Sequence, residues 1–308
     1  MTYTISNKNS FQKYNHFLKT ITNKLFQTEA IRDIYEFEKS IILKEEIKNK
    51  KSTELNDSII YAKRIQEGMM LKEKHLFRLF PESFILFKPK DIVSGDFYWF
   101  TKMENKIIIA VVDCTGHGIP GAFMSVLGIS LLNQIIIEEK NTDVSYILQR
   151  LDHKLKKAFD YSNDFIDENK RPFDGMDISL CCIDNETNFL TYAGALRPLY
   201  HISKNDFMSL DGSRYPIGGM NLESIRKYDS QSMNFHKGDK LYLCSDGYAD
   251  QFGGAFDKKF MTKKFKALLL KTSKLSMQTQ QLELERLFNE WKNNEEQTDD
   301  VLVVGIQL

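Results

Sequence analysis

Residues 111–123, VVDCTGHGIPGAF, pass from an apolar strand through a glycine-rich turn into a helix. Asp113 and His117 lie at the bend, and Pro120 suits the first turn of a helix, where its missing N–H costs no hydrogen bond. An isolated aspartate at a strand end is usually a turn or cap residue. Taken alone, the stretch therefore predicts a strand, a tight turn and a helix.

The same arrangement recurs elsewhere in the chain. Acids stand at the ends of four predicted strands, at Asp96, Asp113, Asp246 and the pair Asp299 and Asp300. Carboxylates that gather without histidine or cysteine partners suit hard cations such as Mg²⁺ or Mn²⁺, and they repel one another unless a cation lies between them. Two such ions can activate a water and clamp a phosphate, so the pattern predicts phosphoester hydrolysis.

The elements around these acids predict an α+β fold. Strands are predicted at residues 83–87, 96–101, 106–113, 177–183, 189–193, 199–202, 225–235, 240–245 and 301–307. Helices are predicted at residues 120–139, 143–160, 257–271 and 276–292. Runs of strands broken by pairs of helices favour a mainly antiparallel sheet, so we expect a β-sandwich with helices outside.

The first eighty residues have a different composition. Residues 21–75 are rich in Lys, Glu, Ile and Leu, contain no proline, and show helical spacing of apolar residues at Leu55, Ile59, Ala62, Ile65 and Met69. This narrow stripe predicts a long helix that either pairs with another helix or packs as an ordinary helix of the domain. We therefore divide the chain into a helical segment, 1–80, and a second domain, 81–308.

Composition excludes several classes of function. The 308 residues are 42% hydrophobic, and Lys+Arg and Asp+Glu both number 42, so no overall charge favours nucleic acid or an anionic membrane. The four cysteines lie in apolar runs without a C-x-x-C pair, which predicts reduced, buried thiols. The N-terminus lacks a signal-peptide core and no apolar run approaches a membrane span, so we expect a cytoplasmic protein without membrane insertion.

Four motifs in order resemble a known family. PKDIVSGDFYWF, VVDCTGHGIPGAFMS, LYLCSDGYAD and QTDDVLVVGI are similar to the signatures of the SpoIIE-like branch of the metal-dependent (PPM, protein phosphatase 2C-type) protein phosphatases. The resemblance covers about residues 84–308. It implies a β-sandwich flanked by helices, two Mn²⁺ or Mg²⁺ ions, and hydrolysis of phosphoserine or phosphothreonine on a protein, commonly an anti-sigma-factor antagonist.

The resemblance also implies roles for particular residues. Asp113 would bridge the two ions, Asp96 would bind one of them, and the backbone carbonyl of Cys114 would complete a coordination sphere. Asp246 and one residue of the Asp299 and Asp300 pair would bind from the opposite side, with the spacing to the last strand favouring Asp299. In this interpretation Asp113, Asp96 and Asp246 carry the catalysis, and the glycines after Asp113 allow the tight turn.

Three further residues have open roles. His117 could protonate the leaving oxygen, but a supporting position at the start of the helix is the preferred interpretation. Asp177, in DGMDISL, stands where the family pattern has an apolar residue, so it is either an additional ligand for water or metal or a surface acid. Arg197, in AGALRPLY, departs from the AGHNPP or AGANNP of relatives and could pair with phosphate.

Two other classes of function stay open beside the phosphatase. A non-catalytic interaction module with this fold should have lost some of the acids, and a phosphodiesterase or nuclease should show a basic groove. The absence of nucleophile motifs agrees with an attacking water. SIIYAKRIQEGMM resembles the helical stretch that often precedes this domain in bacterial signalling proteins. Because the apolar stripe of this helix needs a partner, we expect a homodimer whose helices meet along the stripe, with residues 64–70 pressing on the catalytic domain so that their placement tunes metal occupancy.

Overall fold

A computed structural model describes residues 29–159, 174–219 and 226–308 of the chain. The chain forms two compact units, residues 1–58 and residues 59–308. The predicted division at residues 80 and 81 stays a sequence-based prediction. Residues 21–28 of the predicted N-terminal helix, residue 160 of a later helix and residue 225 of a predicted strand lie outside the described residues.

The described helices begin with a long one and a short one. They are α1 (Glu29–Met69), α2 (Glu73–Leu79), α3 (Gly118–Leu132), α4 (Val144–Ala158), α5 (Gly247–Asp250), α6 (Thr262–Thr272) and α7 (Met277–Lys292). A π-helical segment, Asn133–Glu138, continues α3. Asp143 caps α4 by accepting hydrogen bonds from the backbone N–H groups of Ser145 and Tyr146, which explains why that helix begins there.

Thirteen strands are present among the described residues. They are β1 (Ser83–Lys88), β2 (Phe97–Met103), β3 (Lys106–Cys114), β4 (Gly175–Asp184), β5 (Phe189–Ala195), β6 (Leu199–Ser203), β7 (Asp206–Leu210), β8 (Ile217–Gly218), β9 (Ser230–Asn234), β10 (Lys240–Cys244), β11 (Phe252–Gly253), β12 (Lys258–Lys259) and β13 (Val301–Gln307). Every pairing between these named strands is antiparallel.

Two large sheets form the predicted sandwich. One has the strand order β1-β13-β10-β6-β7, and the other has the order β2-β3-β4-β5-β9 with β8 paired to β4. Apolar side chains of both sheets share one core cluster between them. A second cluster joins the outer face of the β3 sheet to α3 and α4, and a third joins the outer face of the β10 sheet to α6 and α7. The α+β sandwich flanked by helices is thus confirmed.

Strand β3 shows why the sheets lie inside the fold. Ile107, Ile109 and Val111 belong to the cluster between the sheets, whereas Ile108, Ala110 and Val112 belong to the cluster under the helices. A strand that is buried on both faces reads as a continuous apolar run, which is what KIIIAVV is. Asp113 ends this run at the rim, where the two sheets come together.

Several predicted boundaries need correction. The helix predicted through residue 75 ends at Met69, and the strand predicted at 225–235 is described over Ser230–Asn234. Residues 257–261 do not begin a helix, because Asp257 and Met261 have left-handed φ angles of 44° and 77° and Lys258–Lys259 pairs with Phe252–Gly253. Strand β7 and the one-turn helix α5 were not anticipated from the sequence. The helix predicted at 120–139 begins at Gly118 and becomes π-helical at Asn133.

Helix α3 with its π-helical continuation also corrects an expectation. Gly118–Glu138 spans 21 residues with mean hydropathy 1.6, which is long and apolar enough to cross a membrane by length and composition. More than half of this segment is buried within the fold. Its apolar residues, such as Ile129 and Ile135, pack into the cluster against the β3 sheet. The segment therefore has the packing of an internal core helix.

Candidate functional site

The topology brings the predicted acids to one rim of the sandwich. Asp96 precedes β2 and Asp113 lies near the end of β3, and these two strands are neighbours in one sheet. Asp246 follows β10 and Asp299 and Asp300 precede β13, which are neighbours in the other sheet. The charges of the acids act on one another's pKa values across the two sheets. The structure therefore gathers acids that are up to about two hundred residues apart in sequence.

Glycines allow the backbone to close around this rim. Gly116 has a left-handed φ of 85°, which explains the glycine after Asp113. A Cβ atom added to Gly95 would lie 2.5 Å from the carbonyl oxygen of Gly116 and 3.2 Å from that of Cys114, and one added to Gly121 would lie 2.2 Å from the Gly116 oxygen. The carbonyl of Cys114, which the resemblance implies as a ligand, thus faces the turn that carries Asp96.

Asp299 and Asp300 have different surroundings. The carboxylate of Asp300 accepts backbone hydrogen bonds at both oxygens, from Lys90 N at 2.7 Å and from Gly95 N at 2.8 Å, and the residue is buried. Asp299 uses its Oδ1 to accept the N–H of Asp300 at 2.8 Å. Asp300 therefore fixes the loop that leads to Asp96, whereas one carboxylate oxygen of Asp299 has no such backbone partner assigned within the described chain.

Burial makes the negative charge of the cluster costly. Desolvation, followed by the charge of Asp113, raises the pKa of Asp96 well above its ordinary value. Desolvation, followed by the charge of Asp246, raises the pKa of Asp113 to about 8, although Arg197 opposes this shift. Burial also raises the pKa of Asp299. Acids that share one low-dielectric rim in this way favour either protonation or a nearby cation.

Arg197 lies among three of the acids. Its Nη2 atom is 2.6 Å from Asp246 Oδ2, 2.7 Å from Asp177 Oδ2 and 3.3 Å from Asp113 Oδ2. Asp177 reaches this point because it is the cross-strand partner of Asp113 between β3 and β4. Burial raises the pKa of Asp177, and the positive charge of Arg197 counteracts it. Asp177 and Arg197, whose roles the sequence left open, thus belong to the same cluster as the motif acids.

His117 stands beside the cluster, at the start of α3. Its Nδ1 is 2.6 Å from Asp91 Oδ2 and its Nε2 is 3.1 Å from Lys90 Nζ. Because a lysine ammonium only donates, Nε2 accepts from Lys90 and the Nδ1–H donates to Asp91. The ring is about half exposed. Both nitrogens are engaged, which agrees with the preferred supporting role of His117 over that of a proton donor.

Gln66 makes contacts with the loop of Asp96 that were not predicted from the sequence. Its side chain is buried, its Nε2 donates to Ser94 O at 2.6 Å and to Ser125 Oγ at 2.7 Å, and its Oε1 accepts from Ser94 N at 3.2 Å. Ser94 Oγ in turn accepts the N–H of Asp96 at 3.0 Å. The last turns of α1 therefore hold the loop that carries Asp96. A single glutamine inside an apolar stripe gives no sequence signal for such a contact.

The donor set fits divalent cations. The Oδ2 atoms of Asp96 and Asp113 are buried without a hydrogen-bond partner in the described part of the chain, and such atoms are costly unless something pairs with them. Oxygen donors alone suit Mg²⁺ or Mn²⁺. Across residues 29–159, 174–219 and 226–308, no three acidic, histidine or cysteine side chains already converge on one point as metal ligands. The acids fit the ions in chemistry, and Arg197 lies where they would converge.

A cavity of about 390 Å³ adjoins this cluster. Arg197 and Asp246 line it together with Tyr200, Arg214, Phe265 and Lys266. Basic and aromatic side chains thus lie beside the acids. A ligand that reached the acids could place its flanking groups there.

Comparison with known proteins places these motifs in a wider group. A family model described as "Stage II sporulation protein E (SpoIIE)" matches residues 103–308, about two thirds of the chain. That range includes Asp113, Asp246 and Asp299, whereas Asp96 lies just before it. No curated protein sequence matches the chain.

Solved structures show the same fold. The SiaA-PP2C domain of Pseudomonas aeruginosa is 27% identical over 83% of this chain and 98% of its own length, with a TM-score of 0.73. The PP2C phosphatase domain of SpoIIE from Bacillus subtilis, with a fragment of its regulatory domain, is 20% identical over 74% of this chain and 63% of its own, with a TM-score of 0.56. RsbX in complex with magnesium is 16% identical over 73% and 94%, with a TM-score of 0.50.

Proposed function

Because this chain belongs to the SpoIIE family and has the fold of the PP2C-type (PPM) phosphatase domains, we propose that it is a metal-dependent serine/threonine protein phosphatase. The observation that carries the proposal is the gathering of Asp96, Asp113, Asp246 and Asp299 at one rim, with two buried carboxylate oxygens that lack a hydrogen-bond partner in the described chain. A module that had lost catalysis would not need to keep these costly charges.

The family resemblance supplies the proposed metal ligands, and the surroundings of Asp299 and Asp300 support the choice between these two. Asp113 would bridge two Mn²⁺ or Mg²⁺ ions, with Asp96 and the Cys114 carbonyl on one side. Asp246 and Asp299 would bind from the other sheet. We assign Asp300 a supporting role, because both of its carboxylate oxygens already hold backbone N–H groups. When bound, the two ions would supply an activated water and neutralise the phosphoryl oxygens.

The surrounding residues would orient the substrate. His117 contacts Lys90 through Nε2 and Asp91 through Nδ1. Lys90 places a positive charge near Asp299, where it opposes the increase in the pKa of that acid. A cation in this position can attract a phosphoryl oxygen. The cavity beside Asp246 would take the residues that flank the phosphorylated side chain. His117 then acts as a positioning residue for Lys90.

We propose that the substrate is a phosphorylated bacterial signalling protein, such as an anti-sigma-factor antagonist. The support is the family resemblance together with the open cavity, which can receive a protein segment. The balanced composition of 42 basic and 42 acidic residues gives no support to a nucleic-acid substrate. The proposal also keeps the predicted cytoplasmic residence.

A direct assay separates the phosphatase from its alternatives. The protein is treated with EDTA, reloaded with Mn²⁺, and given a phosphoserine peptide, a phosphothreonine peptide and a phosphodiester. We expect release of phosphate from the peptides only, and only with metal. The assay is repeated with the variant Asp96→Asn. Its matched control is Asp229→Asn, which changes an exposed acid outside the cluster. Turnover of the phosphodiester alone would indicate a phosphodiesterase. No turnover of any substrate, with or without Mn²⁺, would indicate an interaction module.

The N-terminal helix offers a route of regulation. We propose that α1 mediates a homodimer, in a coiled-coil arrangement, and that its last turns tune metal occupancy through Gln66 and the loop of Asp96. In support, Leu55 and Ile65 of the predicted stripe are exposed, and Met69 packs against the cluster between the outer face of the β3 sheet and helices α3 and α4. An exposed apolar stripe on a long helix is typical of helix pairing.

Two measurements test this regulation. Sedimentation of the full chain and of Ile59→Asp/Ile65→Asp should show a dimer for the first and a monomer for the second. Gln66→Ala should weaken Mn²⁺ binding, since it releases the loop of Asp96. A full-length monomer at micromolar concentration would contradict the dimer, and unchanged Mn²⁺ affinity of Gln66→Ala would contradict the tuning.

A further inference from the structure

Arg197 contacts the acid cluster in an unusual way. A single nitrogen, Nη2, makes all three ion pairs, with Asp113, Asp177 and Asp246 at 2.6 to 3.3 Å. Arginine–carboxylate pairs are frequently bidentate, with two parallel N–H···O bonds. Here the Nε atom is buried without a hydrogen-bond partner in the described chain. One nitrogen therefore stands at the centre of three carboxylates, as a small cation would.

The backbone holds Arg197 in this position. The preceding residue, Leu196, has a left-handed φ of 60°, a conformation that a branched side chain adopts at a cost. Hydrogen bonds fix the strained turn, from Leu196 N to Ser213 O at 2.8 Å and from Arg197 N to Ala195 O at 2.7 Å, and Tyr192 donates its hydroxyl to Arg197 O. The loop is thus built to direct this side chain toward the rim.

Nη2 lies between two of the proposed metal ligands. One carboxylate oxygen of Asp113 and one of Asp246 are within 3.3 Å of it. An arginine keeps its charge at all ordinary pH values, so the positive charge can be removed from these acids only if the side chain moves away. A divalent ion and the guanidinium therefore compete for the same oxygens by both charge and space.

Asp177 gives the arginine a place to remain. It is the cross-strand partner of Asp113 and lies 2.7 Å from Nη2, but it does not belong to the four motif acids. When an ion takes Asp113 and Asp246, Asp177 can retain the guanidinium at the edge of the site. The Asp177 and Arg197 pair thus forms one unit.

We propose that Arg197 is an internal competitor of the divalent ions, held on Asp177, and that this competition sets the metal affinity of the site. The inference rests on the proposed function, since it assumes that the acids bind metal. An internal cation that occupies the carboxylates for about 90% of the time weakens the apparent metal affinity about tenfold, because only the remaining fraction can bind. Arg197 is therefore a positioning residue of the metal site.

The first test compares metal binding and stability in EDTA-treated full-length protein. Arg197→Met removes the charge and keeps the length, and Arg197→Lys keeps a charge. Arg286→Met is the control, since Arg286 pairs with Glu283 and Glu290 on the surface of α7. We expect Arg197→Met to bind Mn²⁺ about tenfold more tightly by calorimetry. In EDTA it should melt about 5 °C lower, since three acids lose their cation. Arg197→Lys should lie between the two, and the control should match wild type.

Each outcome of this test has a consequence. Weaker or equal Mn²⁺ binding by Arg197→Met, or unchanged melting in EDTA, would overturn the competition. Binding by Arg197→Met with none by wild type would support it in its strongest form. Absence of binding by all four proteins would overturn both the competition and the proposed function, whereas metal binding and turnover with equal affinities would overturn the competition alone.

The second test observes the arginine directly. The Nε–H group of Arg197 is buried, so its ¹⁵N–¹H signal can be assigned by its loss in Arg197→Met. Titration with Mg²⁺, which is diamagnetic, should shift this signal in proportion to metal bound, while the signals of Arg286 stay in place. A stationary Arg197 signal at saturating Mg²⁺ would show that the guanidinium does not yield to the ion, and would overturn the inference.

Discussion

Replacing Asp113 by asparagine should stabilise the EDTA-treated protein and remove its response to Mn²⁺. The substitution keeps the volume of the side chain but removes an acid whose ionisation is costly at a buried rim. The same charge is what two divalent ions would share. Stability and metal response should therefore change in opposite directions, which a purely structural residue would not do.

The magnitude follows from the pKa of the acid. Burial and the charge of Asp246 raise the pKa of Asp113 from its ordinary value of 3.8 to about 8. The folded protein then keeps a proton that the unfolded chain has lost, so the stability present below pH 3.8 is lost as the pH rises toward 8. Each pH unit in that window costs about 1.4 kcal/mol, which sets a ceiling of about 4 kcal/mol at pH 7.

Asparagine should recover part of that cost. It also weakens the contact of Asp113 with Arg197, at 3.3 Å, which offsets some of the gain. We expect a net stabilisation of about 1 to 3 kcal/mol at pH 7, or a rise in Tm of about 3 to 10 °C for a unit of this size. At pH 5 the gain should be smaller by at least half, since less of the window has been crossed.

Thermal unfolding at pH 5, 6, 7 and 8 provides the assay, with wild type, Asp113→Asn and the exposed control Asp229→Asn in EDTA and in MnCl₂. At Mn²⁺ concentrations of one hundred times its Kd, wild type should gain about 2.7 kcal/mol and Asp113→Asn close to none. A stability difference that does not change with pH, or a lower Tm for Asp113→Asn at pH 8, would refute the reasoning from buried charge.

Further predictions concern the same rim. Asp246→Asn should reduce Mn²⁺-dependent hydrolysis at least about 100-fold with an unchanged circular dichroism spectrum, since loss of even a supporting residue costs 10 to 100-fold. His117→Ala should lose less, about tenfold, and equal losses in the two variants would instead make His117 a proton donor. Gly95→Ala should lower the unfolding free energy by about 1 to 3 kcal/mol and abolish the Mn²⁺ response, because its Cβ would lie 2.5 Å from Gly116 O. A Gly95→Ala protein with wild-type Tm and metal binding would contradict that close contact.

The arrangement of the acids was predictable from the sequence because strand ends meet at sheet edges. A long apolar run such as KIIIAVV fixes a buried strand, and the acid that ends it must lie at the rim. The position of the pair at a strand end did not by itself distinguish Asp299 from Asp300, and only the resemblance favoured Asp299. Only the fold shows that Asp300 is fixed by the backbone N–H groups of Lys90 and Gly95, which lie about two hundred residues away.

Contacts between distant segments account for what the sequence did not show. Gln66 holds the loop of Asp96 from a helix whose polar residues otherwise face outward, so its composition gives no warning. Arg197 reaches Asp177 and Asp113 through a strained turn after β5 that no propensity indicates. Residues 257–261 have helical spacing, but pairing with β11 and two left-handed residues override the local preference.

The central claim is tested most directly by phosphate release from a phosphoserine peptide. EDTA-treated wild-type protein, reloaded with increasing Mn²⁺, should release phosphate with a saturable dependence on the metal, and Asp96→Asn and Asp113→Asn should release none above background. Asp229→Asn should match wild type. Phosphate release that persists in EDTA, or that survives the loss of Asp96 and Asp113, would contradict the account of these acids as the metal site of a phosphatase.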